Sequence, residues 1–283
     1  MFSVMGIVNV TPDSFSDGGR YYDAAAAIGH ARELERGGAD ILDVGGESTR
    51  PGADDVPVHE EHRRVVPVIE ALVAGGTRAQ ISIDTSKLDV ARAALDAGAT
   101  YVNDVTAFRH DPGIAELVAE RGADCCLMHM LGTPRTMQRD PRYDDVVSDV
   151  KAFLEERLAF AVAAGIPEER IQLDPGIGFG KTTEHNLELL VRLEELAAIG
   201  RPLVIGVSRK TFLGEITGRE VSERLPATIA ANVLAFLHGA STFRVHDVAP
   251  VKDALTVTAA TVRGTWPTKT TTPPSLTTTS TTS

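Results

Sequence analysis

Three side chains close short apolar runs with a hydrogen-bonding group: Asp84 after Ser82-Ile83, Asn103 after Tyr101-Val102, and Asp174 after Gln172-Leu173. Core strands need no polar group there, and a buried carboxylate persists only when it is paired or hydrogen-bonded. Such a set suits a ligand rich in N–H donors, such as a fused aminopyrimidine ring. Each hydrogen bond to a charged acceptor is worth roughly 1.5–3 kcal/mol. Two other readings stay open on these residues alone. Paired carboxylates also suit Mg²⁺, and Asp84, Ser86 and Asn103 could each cap a following helix.

A second set is cationic. Lys210, Arg209, Arg244, His246 and Arg50 gather positive charge in a chain whose formal net charge is -11. Arg244-Val245-His246 ends the last apolar run, and Arg grips phosphate oxygens bidentately. Asn9 and Ser48-Thr49 add neutral donors and oxygens that a metal ion accepts. Arg209 alone fits a surface ion pair as well as a site. The run Gly176-Ile177-Gly178-Phe179-Gly180-Lys181 lacks the G-x-x-x-x-G-K-[ST] spacing of a nucleotide-phosphate loop. Its glycines instead allow close backbone approach to a ligand, with Phe179 against the ligand's ring. The segments 11–19 and 47–52 mix Pro, Gly, Ser and Asp and are expected to be flaps, Phe15 folding over a bound ligand. No Ser/His/Asp or Cys/His arrangement stands out, so a covalent nucleophile is not expected.

These groups need a frame that brings strand ends together. Short apolar runs alternate with amphipathic stretches along the chain, the pattern of a parallel sheet. Eight strands are predicted, at Val4–Val8, Asp40–Val44, Gln80–Ile83, Tyr101–Asn103, Asp124–His129, Ile171–Leu173, Leu203–Gly206 and Thr242–Val245. Helical patterns lie between and after them, among them Ala24–Arg36, Glu60–Val73, Lys87–Ala97, Tyr143–Ala163 and Val251–Val262. Several stop at Gly, the expected C-terminal signal. An open doubly wound sheet fits the alternation nearly as well. A polar residue at the end of every strand favours a closed α/β barrel, the (β/α)8 TIM barrel, whose chemistry gathers on one rim.

Hydrophobic residues make up 43% of the 283 residues, enough for one large core over 1–264, while 5% aromatics argue against an all-β sandwich. Residues 265–283 are more than half Thr and are expected to form a disordered tail. The acidic balance gives no sign of nucleic-acid or acidic-membrane binding. No apolar stretch approaches the roughly 18 residues of a membrane span. The apolar start lacks a basic region and is not read as a signal peptide. Adjacent Cys125 and Cys126 read as small core residues in a reducing compartment, so the chain is expected in the cytoplasm.

The segments MGIVNVTPDSFSDGG, DVGGESTRPGA, SIDTSK, VNDV, LDPGIGFGK, SRKTFLG and RVHDV, in that order, resemble the dihydropteroate synthase family from Met5 to about Val262. The resemblance implies joining of a pterin diphosphate to 4-aminobenzoate, with release of diphosphate. It implies that Asp84, Asn103, Asp174 and Lys210 hold the pterin. Asn9, Thr49, Arg244 and His246 would hold the diphosphate, with Mg²⁺ at Asn9. Phe179, Pro51, Arg209 and Thr211 would line the 4-aminobenzoate pocket, where sulfonamides compete in this family, and Arg50 belongs to the substrate-binding set. Lys210, Asp84, Arg244 and His246 carry the catalytic roles, and a homodimer is expected. Thr211 stands where many relatives have Ser, the hydroxyl being kept. The family often has an extra segment before its first strand; here that strand comes almost at once, which puts the recorded start in question. A methyltetrahydrofolate-dependent methyltransferase would share the Asp84/Asn103/Asp174 set but has no need of Arg244-x-His246. An inactive pterin-binding paralogue is argued against by the complete set of polar strand ends.

Overall fold

A computed structural model describes residues 2–11, 24–49 and 52–264. Eight parallel strands run in ring order: β1 (Ser3–Asn9), β2 (Ile41–Gly45), β3 (Gln80–Asp84), β4 (Tyr101–Asp104), β5 (Asp124–Met128), β6 (Ile171–Asp174), β7 (Val204–Ile205) and β8 (Thr242–Val245). β1 pairs with both β2 and β8, and pairing continues from β2 to β6 and from β8 to β7. A bridge between Leu173 and Leu203, with Leu173 N–H donating to the Pro202 carbonyl at 3.0 Å, closes the ring between β6 and β7. The barrel reading holds and the open sheet does not.

Around the ring lie α1 (Ala24–Arg36), α2 (Val58–Ala74), α3 (Leu88–Asp96), α4 (Gly113–Arg121), α5 (Val146–Ala163), α6 (Thr183–Val191), α7 (Leu193–Ala197), α8 (Thr211–Thr217), α9 (Leu225–Leu237) and α10 (Val248–Arg263). The helices are amphipathic in the way the sequence spacing implies. In α1 the buried residues are Ala27, Ala31 and Leu34, and in α10 they are Val248, Val251, Leu255 and Ala259, one stripe in each case. Burying each large aliphatic side chain between helix and strand contributes roughly 1.5–3 kcal/mol. Strand and helix bounds lie within a few residues of those read from sequence. Two connections carry two helices each: α6 and α7 lie between β6 and β7, and α8 and α9 between β7 and β8.

Along a barrel strand alternate residues point inward. Met5, Ile41, Tyr101, Cys126 and Val204 form a separate apolar cluster, a layer inside the barrel distinct from the core under the helices. Two residues further along, β2 and β4 turn polar, and the neighbouring strands β3 and β8 add to the same layer. β2 places Asp43 above Ile41, β4 places Asn103 above Tyr101, and β3 and β8 supply Ser82 and Arg244. The polar rim is thus the third dimension of a period-two pattern.

Candidate active site

Asp43 is the hub of this inner polar layer. Fully buried, it accepts from Ser82 Oγ at 2.6 Å, from Asn103 Nδ2 at 3.0 Å and from Arg244 Nε at 2.6 Å. Arg244 Nη2 reaches on to Asp84 Oδ2 at 2.7 Å, so one guanidinium bridges two carboxylates. This geometry answers the capping question. α3 is capped by Lys87 without a side-chain bond, while Asp84 and Asn103 turn into the barrel. Burial pushes the Asp84 carboxyl up to about 8, the Arg244 charge opposing it. Burial works against the Arg244 cation too, but Asp43 and Asp84 outweigh it and hold the guanidinium protonated.

Asp43→Ala strips Ser82, Asn103 and Arg244 of their shared acceptor. The expected loss is about 3 kcal/mol or more of stability, read by urea unfolding, because a buried cation loses one partner. An unchanged unfolding midpoint would contradict the hub role.

The opposite wall carries the second pair. Asp174 ends β6, accepts from Gly176 N–H at 2.7 Å, and is pushed up by burial with Lys210 opposing. Lys210 caps α8; burial pushes its ammonium down to about 8, against the pull of Asp174. Its Nζ donates to the Ile177 carbonyl and lies 4.5 Å above the Phe179 ring. Asp174 ends β6 and Lys210 follows β7, so both stand on the same rim of the parallel ring as Asp84, Asn103 and Arg244.

The remaining strand ends frame that mouth. His246 Nδ1 lies 3.0 Å from Ser208 Oγ, tying the end of β8 to the loop after β7. Asn9 ends β1, half-buried, beside Gly45 of β2, and Thr49 is half-buried beyond β2. The loop bearing Thr49 is anchored on both sides. Lys87 Nζ donates to Glu47 Oε2 at 2.9 Å, Glu61 Oε2 at 2.6 Å and the Val56 carbonyl at 2.7 Å, and Arg64 Nη1 holds the Gly46 carbonyl at 2.7 Å. Arg209 adopts φ 56 and gives its guanidinium to Asp247 in two bonds of 2.8 and 2.5 Å. Thr211 is exposed at the head of α8. Arg50, Pro51, Phe15 and the tail from Thr265 lie outside the described residues.

Asp84, Asn103, Asp174, Lys210 and Arg244 are therefore brought together, with Phe179 beside Lys210. Sequence reasoning missed Asp43, whose signal was an acid between Leu42 and Val44 inside an apolar strand. It also gave no role to Lys181, which is buried at 3% exposure.

The family model described as "Pterin binding enzyme" matches residues 5–246. The chain belongs to the pterin-binding enzymes. Within that family, the dihydropteroate synthase of Escherichia coli is 48% identical over 259 residues, spanning 92% of this chain and 91% of the relative. A Xanthomonas albilineans dihydropteroate synthase solved with 4-aminobenzoic acid is 52% identical, covering 92% of this chain and 93% of that one, with a TM-score of 0.86. The same organism's enzyme in complex with 7,8-dihydropteroate gives 49% identity, 92% and 93% coverage, and a TM-score of 0.83.

Proposed function

We infer that this pterin-binding barrel is a transferase with the dihydropteroate synthase reaction. It joins (7,8-dihydropterin-6-yl)methyl diphosphate to 4-aminobenzoate, giving 7,8-dihydropteroate and diphosphate, a step of tetrahydrofolate synthesis. The observation that carries this reading is the bridge from Asp43 through Arg244 to Asp84, which sets acceptors for a flat heterocycle directly beside a cation. Relatives at about half identity, solved with 4-aminobenzoic acid and with 7,8-dihydropteroate, support both substrates.

Asp84, Asn103, Asp174 and Lys210 hold the pterin. Asp43 takes the Asn103 amide N–H, which orients the amide and leaves its oxygen for a ring N–H. Thr49, Arg244 and His246 hold the diphosphate with Asn9, and Arg50 belongs to the substrate-binding set. Of the five N–H donors of a guanidinium, the two carboxylates take one on Nε and one on Nη2, and the others remain for phosphate oxygens. Pro51, Phe179, Arg209 and Thr211 line the 4-aminobenzoate pocket, Arg209 being oriented by Asp247.

In the reaction the methylene C–O bond breaks and its electron pair leaves with diphosphate. Cations at the rim stabilise the charge that grows there, an interaction strongest in the transition state. The methylene becomes cationic, delocalised into the pterin, where Asp84 and Asp174 stabilise it in their ionised forms. The arylamine nitrogen then forms the C–N bond and loses a proton. A weakly basic arylamine needs little deprotonation before attack, which fits a site without a nucleophile–base pair.

Mg²⁺ is proposed at Asn9. Among the described residues no group of three or more His, Cys, Asp or Glu is placed to hold a metal. One amide oxygen at the rim fits an ion that keeps waters and takes its other ligands from substrate phosphates. Bound so, it would neutralise charge on the leaving group.

The enzyme is proposed to act in the cytoplasm as a homodimer. Among the described residues no helix is long and apolar enough to cross a membrane. Exposed Leu234, Leu237, Val257 and Val262 on the packed neighbours α9 and α10 support an apolar face between copies.

A diphosphate-release assay tests the function. Release is expected only with both substrates present and is expected to fall sharply in EDTA. Release without 4-aminobenzoate would remove the synthase reading, and full activity in EDTA would remove Mg²⁺.

A further inference from the structure

The loop from Gly176 to Gly180 alternates left-handed glycines, with φ of 66, 83 and 66 at Gly176, Gly178 and Gly180. A Cβ on Gly176 would lie 1.9 Å from the His129 carbonyl oxygen, so the loop is pressed against β5 where only glycine fits. Such a turn points its carbonyls outward in several directions, away from any ladder. Each finds a side-chain donor from elsewhere. Lys181 Nζ takes the Gly176 carbonyl at 2.9 Å and the Phe179 carbonyl at 3.0 Å; Lys210 Nζ takes Ile177. Gln138 Nε2 takes Gly178 at 2.8 Å, and the Tyr143 hydroxyl takes Gly180 at 2.7 Å.

Lys181 is the centre of this arrangement. It is buried, and its third donor goes to His129 Nδ1 at 2.9 Å. Burial, with the Lys181 and Arg109 charges, pushes His129 down to about 2 and keeps its imidazole neutral, so Nδ1 accepts and Nε2 carries the proton. Burial pushes the Lys181 ammonium well below the ordinary lysine range, with Asp174 opposing, and the three acceptors match the three N–H bonds that its charged form offers. The two carbonyls it holds bracket Ile177, Gly178 and Phe179.

We propose that Lys181 is a positioning residue for the 4-aminobenzoate half of the reaction, fixing the Phe179 ring through the carbonyls at both ends of its turn. This rests on the reading that Phe179 lines the 4-aminobenzoate pocket. Lys181 itself touches no substrate in that scheme and acts only through the loop. Its charge also reaches Asp174, where it opposes burial together with Lys210 and the Gly176 N–H.

The test is a kinetic cycle on the full chain with Lys181→Met, Phe179→Ala and the double variant. Methionine matches lysine in length but leaves the Phe179 carbonyl and His129 Nδ1 without the ammonium, and the Gly176 carbonyl with the Phe179 N–H alone at 3.0 Å. Lys181→Met is expected to raise KM for 4-aminobenzoate at least tenfold and KM for the pterin diphosphate less than threefold. In the Phe179→Ala background it is expected to add less than twofold, since the ring it positions is gone. Equal rises in both KM values, or a full multiplicative loss in the double variant, would overturn the proposal. If Phe179→Ala alone changes neither KM, the pocket assignment fails and the proposal falls with it; a normal Phe179→Ala response with an unselective Lys181→Met response overturns Lys181 alone. Should Lys181→Met fail to fold by near-UV circular dichroism, Tyr143→Phe removes one hydroxyl from the same loop. A two- to threefold rise confined to KM for 4-aminobenzoate supports loop positioning, and an unchanged KM overturns it.

Discussion

Arg244→Met is expected to lower kcat/KM for the pterin diphosphate by about a thousandfold or more, roughly 4 kcal/mol of transition-state stabilisation. Two losses combine. Under the proposed assignment the leaving diphosphate loses a cation, and Asp43 and Asp84 lose the guanidinium that bridges them at 2.6 and 2.7 Å. Breaking a buried ion pair by removing one partner costs about 3–5 kcal/mol of stability as well. That cost has a pH signature. The Asp84 carboxyl is raised by burial to about 8 even beside Arg244, against an ordinary value of 3.8. The folded state therefore holds more protons than the unfolded state between those values, and stability falls as pH rises across that window. Without Arg244 the folded-state value rises further, so the window extends above pH 8. Urea unfolding of variant and parent should show a larger difference at pH 9 than at pH 5, where a protonated Asp84 needs no cation. Arg244→Lys keeps the charge but not the fork, and should recover only part of the activity. A pH-independent stability difference, or kcat/KM within tenfold of the parent, would contradict the bridging role.

Lys210→Ala is expected to cost about 10²–10³ in kcat/KM, because this ammonium serves Asp174, the Phe179 ring and the Ile177 carbonyl at once. Burial lowers its pKa to about 8, below the ordinary 10.5. Activity that needs the cation should therefore decline above about pH 8 in the parent enzyme. Stability should move the other way. Between about 8 and 10.5 the folded state binds fewer protons at Lys210 than the unfolded state, so this residue's contribution to stability rises with pH. Lys210→Arg, which stays charged, should remove the alkaline decline in kcat/KM while lowering its plateau. An unaltered alkaline limb in Lys210→Arg would assign that limb to another group.

Much of this architecture is legible in the sequence because burial leaves a periodic trace. Ala24–Arg36 and Thr242–Val245 have the same bounds in the sequence reading and in the fold. Asp84, Asn103 and Asp174 stand out as polar ends to apolar runs, and each turns into the barrel mouth. The segment LPATIAANVLAFL of α9 is apolar on nearly every face, so its sequence carries no stripe to show which side is buried. Asp43 escaped because its importance lies in its partners, from β3, β4 and β8, which come from up to 201 residues away. In the sequence Lys181 stands out only as the end of a phosphate-loop-like run. Its role depends on carbonyl directions set by three left-handed glycines, and one-dimensional spacing carries no such directions. Arg209 stayed ambiguous for a similar reason, since Asp247 reaches it only across the gap between β7 and β8.

The ring of strands is unequal around its circumference. Elsewhere neighbouring strands share registers of two to five residues, but β6 and β7 meet at one bridge, Leu173 with Leu203. A hydrogen-bonded cylinder parts first along its least-stitched seam. That seam lies between Asp174 at the end of β6 and Lys210 just beyond β7. Local opening of the barrel is therefore expected there first, between two of the groups to which the proposed reaction gives the pterin.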